Sequence, residues 1–216
     1  MAQRVLFPVG NIKIDTFVIN VVKRRFPGFK LIYKKTSPLM WAVYLLSFMW
    51  IWNRRFMTDF YTTIGYKVYI PEEPGKPLNW DGVYRTLRHE FIHMLQRERY
   101  GIWFGLSYVF PQVLAVLALP AFLAIWLGPW WLLFLSSLIA LGPWPAPWRK
   151  RWEVEGYTQT MLVDFESRKS VHIQIIAQVI DQFTGANYWF MWPFRKSITG
   201  EFDVIVKDIE EGRIKG

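Results

Sequence analysis

The chain contains no cysteine. Disulfides, thiolate nucleophiles, iron–sulfur clusters and Cys-based zinc sites are excluded by that count alone, so any metal has to be held by His or carboxylate. Histidine is scarce as well, with three in 216 residues, and acids are outnumbered by bases, 17 against 26, for a formal net charge of +9. The composition, 52% hydrophobic and 19% aromatic, is too apolar for intrinsic disorder. The 13 Trp, 10 Tyr and 17 Phe include the ring types that gather at membrane interfaces. The length suits one domain carrying a membrane element. The opening residues, MAQRVLFPVG, lack a basic start followed by an apolar core and a small-residue cleavage site, so no cleavable signal is expected and the N-terminus is expected on the cytoplasmic side.

Charge is missing altogether from residues 101–148, 48 positions without Asp, Glu, Lys, Arg or His. A run of that length accommodates two passes, and Gly128-Pro129 supplies a turn between a longer arm and a shorter one starting at Trp130. Arg97 and Arg99 precede the run and Arg149, Lys150 and Arg151 follow it, which places both ends on the cytoplasmic side. As pure α-helix the second arm, residues 130–141, reaches only about 18 Å, so both a spanning and a re-entrant hairpin fit. Residues 39–52 form a shorter uncharged segment, which reads as an interfacial or re-entrant helix behind a basic, surface-lying arm. The strand pattern GYKVYI, residues 65–70, ends at Pro71 and is expected at a sheet edge. There, Tyr66, Val68 and Tyr69 would bind an extended peptide by strand addition.

A helix capped by Asn79 or Asp81 and ended by Gly101 carries Tyr84, Leu87, Phe91 and Leu95 on one apolar face. On it lies His89-Glu90-Phe91-Ile92-His93. Four residues make about one helical turn, so both imidazoles meet one zinc side by side while Glu90, rotated away, stays free to act on water as a base. Shuffling this composition produces the pattern on the order of once in a thousand sequences. A catalytic zinc needs a third protein ligand. The candidates are His172, the only other histidine, and the acids of Glu153-Val154-Glu155-Gly156-Tyr157. Glu153 is favoured, because Gly156 and Tyr157 share its helical face and a small residue there lets two helices approach; Glu155 is the alternative. Tyr157 and His172 are candidate donors for the oxyanion of a hydrolytic transition state.

The HEFIH helix, the later E-x-x-small pattern at Glu153 to Gly156 and the apolar hairpin between them resemble the membrane-embedded gluzincin metallopeptidases, such as the CAAX prenyl protease and the heat-shock protease HtpX. The longer string, from TTIGYKVYIPE through RTLRHEFIHMLQRERYG to PAPWRKRWEVEGY, is also similar to uncharacterised metallopeptidase-like sequences of bacteria and phages, over roughly residues 58 to 165. The resemblance implies one zinc on His89, His93 and Glu153, Glu90 as general base and acid, and a site facing the cytoplasm. The chain departs from the better-known families at Gly156-Tyr157, where they carry Ala-Asp.

The expectation is therefore a mainly α protein with a small β element: a zincin-like core with a membrane-inserted helical hairpin. It divides into a basic arm and apolar helix (1–57), the strand and HEFIH helix (58–100), the hairpin (101–148) and a C-terminal helical part (149–216). Expected partners are anionic membrane lipid and a protein or peptide substrate. Nucleic acid is not expected, because the basic residues sit beside apolar segments, where lipid accounts for them. The competing expectation is a non-catalytic membrane-anchored protein whose HEFIH is coincidental.

Overall fold

Three short strands bring the two halves of the N-terminal region together. The structure, a computed structural model, describes residues 14–46, 54–76 and 79–215. The opening decapeptide and residues 47–52 of the first apolar segment lie outside the described residues. In helix α1 (Ile14–Arg25), Ile19, Val22 and the following Phe26 repeat at helical spacing. Val22 and Phe26 are buried against Phe91 and Met94. The segment expected to lie on the surface as a basic arm is thus part of the core, because its apolar stripe outweighs its charges; Arg25 pairs with Glu98 at the rim.

Strand β1 (Lys30–Tyr33) leads to helix α2 (Pro38–Leu46), and β2 (Thr62–Ile64) turns through Gly65, at φ +67°, into β3 (Lys67–Ile70). The sheet order is β1-β3-β2, parallel between β1 and β3 and antiparallel between β2 and β3. The GYKVYI strand expected at an edge is the middle strand. Val68, Tyr69 and Ile70 are all buried, the signature of a strand covered on both faces. Val68 packs toward α1 and the HEFIH helix, Tyr69 toward Met40, Phe56 and Met57. Because β1 belongs to residues 1–57 and β3 to 58–100, the sheet bridges that boundary.

Helix α3 (Trp80–Tyr100) starts where the Gly82 amide donates to the Asn79 side chain and ends at Gly101, φ +58°, whose amide donates to the Arg97 carbonyl. It packs along α6 (Pro147–Arg168), and buried Arg88 ties the two by donating to Glu166 and Gln159. Helices α7 (Ile173–Thr184) and α8 (Arg195–Glu210) close a second core around Met161, Phe183, Met191, Ile198 and Phe202.

Between α3 and α6 the chain runs through α4 (Ile102–Tyr108), a 3₁₀ arm (Gln112–Leu123), the short α5 (Ala124–Leu127) and a second 3₁₀ arm (Pro129–Leu141). The arms pack against each other and expose Leu119, Phe122, Trp126, Trp130 and Ile139 among many large apolar side chains. At roughly 2.0 Å per residue, the 13 residues of the second arm reach about 26 Å, against about 20 Å as an α-helix. Among the described residues no single helix is both long and apolar enough to cross a membrane; the pair Ile102–Tyr108 and Gln112–Leu127 meets the criterion together, bent by 89°. The protein is mainly helical with one small three-stranded sheet.

Candidate metal centre

Helix α3 presents His89 and His93 one turn apart, with Nε2 atoms 3.0 Å from each other. Helix α6 brings Glu153 to the same point: Oε2 lies 3.3 Å from His89 Nε2 and Oε1 3.6 Å from His93 Nε2. Four ligands arranged as a tetrahedron at about 2.0–2.1 Å from a centre stand about 3.3–3.4 Å from one another. The imidazole pair, at 3.0 Å, and the His89–Oε2 pair, at 3.3 Å, lie near those edges, and the other carboxylate oxygen stands 3.6 Å from His93 Nε2. All three side chains are buried, Glu153 to 1% exposure, and they form a group able to hold a metal ion. Glu153 Oε2 makes no hydrogen bond despite its burial. An orphaned buried carboxylate oxygen is costly unless a cation meets it, so the chemistry of the donor set fits a metal.

The close approach of α6 to α3 depends on Gly156. A Cβ there would stand 2.7–3.0 Å from three atoms of the His89 ring. The ring is then covered by Tyr157, edge-on with centroids 4.6 Å apart.

Surrounding side chains orient the donors. Gln96, three residues after His93, accepts at Oε1 from His93 Nδ1 over 2.8 Å. Its amide nitrogen donates to the Trp152 carbonyl at 3.3 Å and to Glu155 at 2.8 Å. Both of those partners can only accept, which fixes the amide orientation, puts the proton on Nδ1 and turns Nε2 toward the cluster. Tyr108, the last residue of α4, donates its phenol to Glu153 Oε1. Arg149 is spent inside the protein: Nε donates to the Tyr108 carbonyl at 2.6 Å, and its terminal nitrogens reach Gln112 Oε1 at 2.8 Å and the Tyr188 carbonyl at 3.4 Å. It is no lipid-facing cation at the hairpin's exit, whereas Arg97, Arg99 and Arg151 are exposed.

Electrostatics follow from the packing. Burial pulls the His93 pKa down, but the neighbouring Glu153 charge and the contacts of Glu90 and Gln96 outweigh it and raise it to about 9. Burial alone would raise Glu153; the His93 charge and the contacts from both imidazoles lower it instead, well below the ordinary carboxylate range. Lys34, fully buried with Nζ 2.7 Å from the Phe56 carbonyl and 3.7 Å from the Phe56 ring centre, falls to about 7 by desolvation, partly offset by Glu90.

A cavity of about 490 Å³ opens over the cluster. Glu90, His89, His93 and Glu153 line it together with β2, the aromatic residues Phe60, Phe104 and Trp189, and Arg97 near its rim. Of the residues expected from sequence, His89, His93, Glu153 and Glu90 therefore come together. Glu155 does not join them; it is exposed and holds Gln96. His172 caps α7, accepting from the Gln174 amide at 3.3 Å, and does not line the cavity. Tyr157 touches the back of His89 and shares a 3.4 Å contact between its hydroxyl and that of Tyr188. Tyr66 stacks on Phe26, and Val68 and Tyr69 are buried in the cores, so none of the three is free for substrate; the edge strand on the cavity is β2. Gln96 and Tyr108 are absent from the sequence reading. Gln96 was detectable as a third polar group on the His89–His93 face, but Tyr108 looked like one more aromatic in an apolar run.

Comparison of the chain with protein-family profiles, with curated proteins and with solved structures finds no match.

Proposed function

We propose that this chain is a membrane-associated zinc endopeptidase of the gluzincin type, with a zincin-like core and a membrane-inserted hairpin. The observation that carries the reading is the convergence of two imidazole nitrogens and the buried Glu153 carboxylate, whose Oε2 makes no hydrogen bond, at nearest distances of 3.0, 3.3 and 3.6 Å, beside Glu90, in a cavity. His89, His93 and Glu153 would hold the zinc, and a bound zinc supplies polarisation of the scissile carbonyl and a more acidic water. Glu90 takes the proton from the water that attacks the carbonyl carbon. As the C–N bond breaks, it returns that proton to the leaving amine. Among the described residues β2 is hydrogen-bonded only to β3, so its outer edge offers backbone donors and acceptors to an extended substrate. Phe60, Phe104 and Trp189 keep the surrounding walls apolar.

The hairpin exposes many large apolar side chains, and lipid is the cover proposed here. Its second arm, at about 26 Å, approaches the roughly 30 Å hydrocarbon layer. Exposed Arg97, Arg99 and Arg151 at its base would meet anionic headgroups and orient the site toward the cytoplasm.

The test is the zinc-to-protein ratio of detergent-purified wild type and Glu153→Ala, with proteolysis of unfolded substrate followed in wild type and Glu90→Gln. The expected result is one zinc in wild type, loss in Glu153→Ala, and retained zinc without proteolysis in Glu90→Gln. A wild-type protein that takes up no zinc after supplementation would sink the proposal.

A further inference from the structure

We infer that Tyr108 is the positioning residue of the third ligand: its phenol occupies Oε1 of Glu153, leaves Oε2 alone for the metal, and makes the foot of the hairpin part of the site. The inference rests on the metal-centre reading above. A carboxylate offers two equivalent oxygens and rotates about its terminal bond, so an unrestrained Glu can swing away or chelate through both oxygens. In this protein the two oxygens differ. Oε1 accepts the phenol hydrogen and stands 3.6 Å from His93 Nε2, whereas Oε2 has no hydrogen bond and lies nearer an imidazole, 3.3 Å from His89 Nε2. The phenol therefore selects which oxygen is presented and at what angle, as partners of metal ligands do generally.

Tyr108 is itself held. Arg149 donates to its backbone carbonyl at 2.6 Å and reaches across to Gln112 at 2.8 Å, so one guanidinium fastens the start of the first arm to α6, four residues before Glu153 on the same helix. Trp152 Nε1 donates to Ser107 Oγ at 3.0 Å, a second tie one residue from both partners. Ligand and phenol thus come from the two ends of the uncharged run, and any sliding of the hairpin against α6 would move the phenol relative to the carboxylate.

The experiment uses the full chain in detergent, with zinc affinity measured by competition against a chromophoric chelator and the cobalt-substituted protein followed by visible absorption. Tyr108→Phe removes one oxygen and is expected to bind zinc roughly 10- to 100-fold more weakly and to shift the cobalt bands. Tyr33→Phe, at the end of β1 and outside the cavity lining, is expected to match wild type. Arg149→Lys keeps the phenol but loosens its anchor, and a smaller loss of affinity with a cobalt shift is expected; it also serves where Tyr108→Phe does not fold, as judged by circular dichroism. Wild-type affinity and an unchanged cobalt spectrum in Tyr108→Phe would overturn the inference while leaving the metal centre standing. Absence of metal binding in wild type would remove both together, and is recognised because Glu153→Ala then differs from wild type in nothing.

Discussion

Gly156 lies so close to His89 that no side chain fits between them: an added Cβ would stand 2.7 Å from Cε1 and 2.9 Å from Nε2 of the ring. Such contacts cannot be met by a small shift of a flexible group, because the ring lies between α3 and α6 with Tyr157 of α6 packed edge-on against it. Gly156→Ala is expected to displace His89, destabilise the fold by about 1–3 kcal/mol as overpacking does, and weaken zinc binding. Urea midpoints and zinc stoichiometry check this. A variant with wild-type zinc content would show that the helices have room to spare.

Gln96 links His93 to Glu155 and the Trp152 carbonyl. Gln96→Leu keeps the volume but strips the acceptor from His93 Nδ1, leaving a buried donor unsatisfied at a cost of about 1–3 kcal/mol. The ring is then free to present either nitrogen. Long-range ¹H–¹⁵N spectra of the zinc-loaded protein are expected to show a single Nδ1-protonated His93 in wild type and a mixture in the variant. One tautomer in both would refute the relay.

Two buried groups give the metal-free fold opposing pH dependences. His93 titrates at about 9 in the fold against an ordinary 6.5, so its stabilisation is complete below about pH 6.5 and is lost as pH rises through 9. Lys34 titrates at about 7 against 10.5, so the unfolded chain binds more protons between those values and stability rises across that interval. Between about pH 7 and 9 the slopes cancel, and chelator-treated wild type is expected to be nearly level. Lys34→Met removes the rising component, so its urea midpoint should fall from pH 7 to pH 9. A level profile in the variant would rule this out.

Trp126 and Leu133, 65% and 67% exposed on the hairpin, touch none of the metal-binding groups. Replacing both by Asp puts charge where lipid is proposed, at about 2.5–3.5 kcal/mol per residue in a hydrocarbon centre. The double variant is expected to lose flotation with vesicles containing anionic phospholipid while keeping wild-type zinc affinity. Undiminished flotation would place the hairpin outside the bilayer.

Periodicity made the helices legible. The stripe Leu87, Phe91, with Asn79 or Asp81 before it and Gly101 after it, delimits α3 to within two residues of where it lies, and the structure takes Asn79 as the cap; local hydrogen bonding and 3.6-residue spacing are properties of the chain itself. The sheet was less legible. Four residues of Lys67–Ile70 specify a strand but not its neighbours, and only the pairing with Lys30–Tyr33, far upstream, makes it central. For the same reason the basic N-terminal helix read as a surface arm, although Val22 and Phe26 find a core in Phe91 and Met94. Helix α8 went unread altogether.

Sequence alone determined the kinds of donor a metal could meet and which two imidazoles share a helical face. With no cysteine, any metal had to meet His or carboxylate, and the spacing of His89 and His93 brings two of the three imidazoles onto one face of one helix. It also determined that residues 101–148 carry no charge, while their exposure is a fact of the structure. Tertiary structure decided the rest: that Glu153 rather than Glu155 completes the cluster, that Glu155 accepts from Gln96, and that Tyr108 donates to Glu153 from the hairpin's foot. Those contacts join residues 45 to 64 positions apart, whose meeting depends on how α3, α4 and α6 pack, and no local pattern in the chain encodes that.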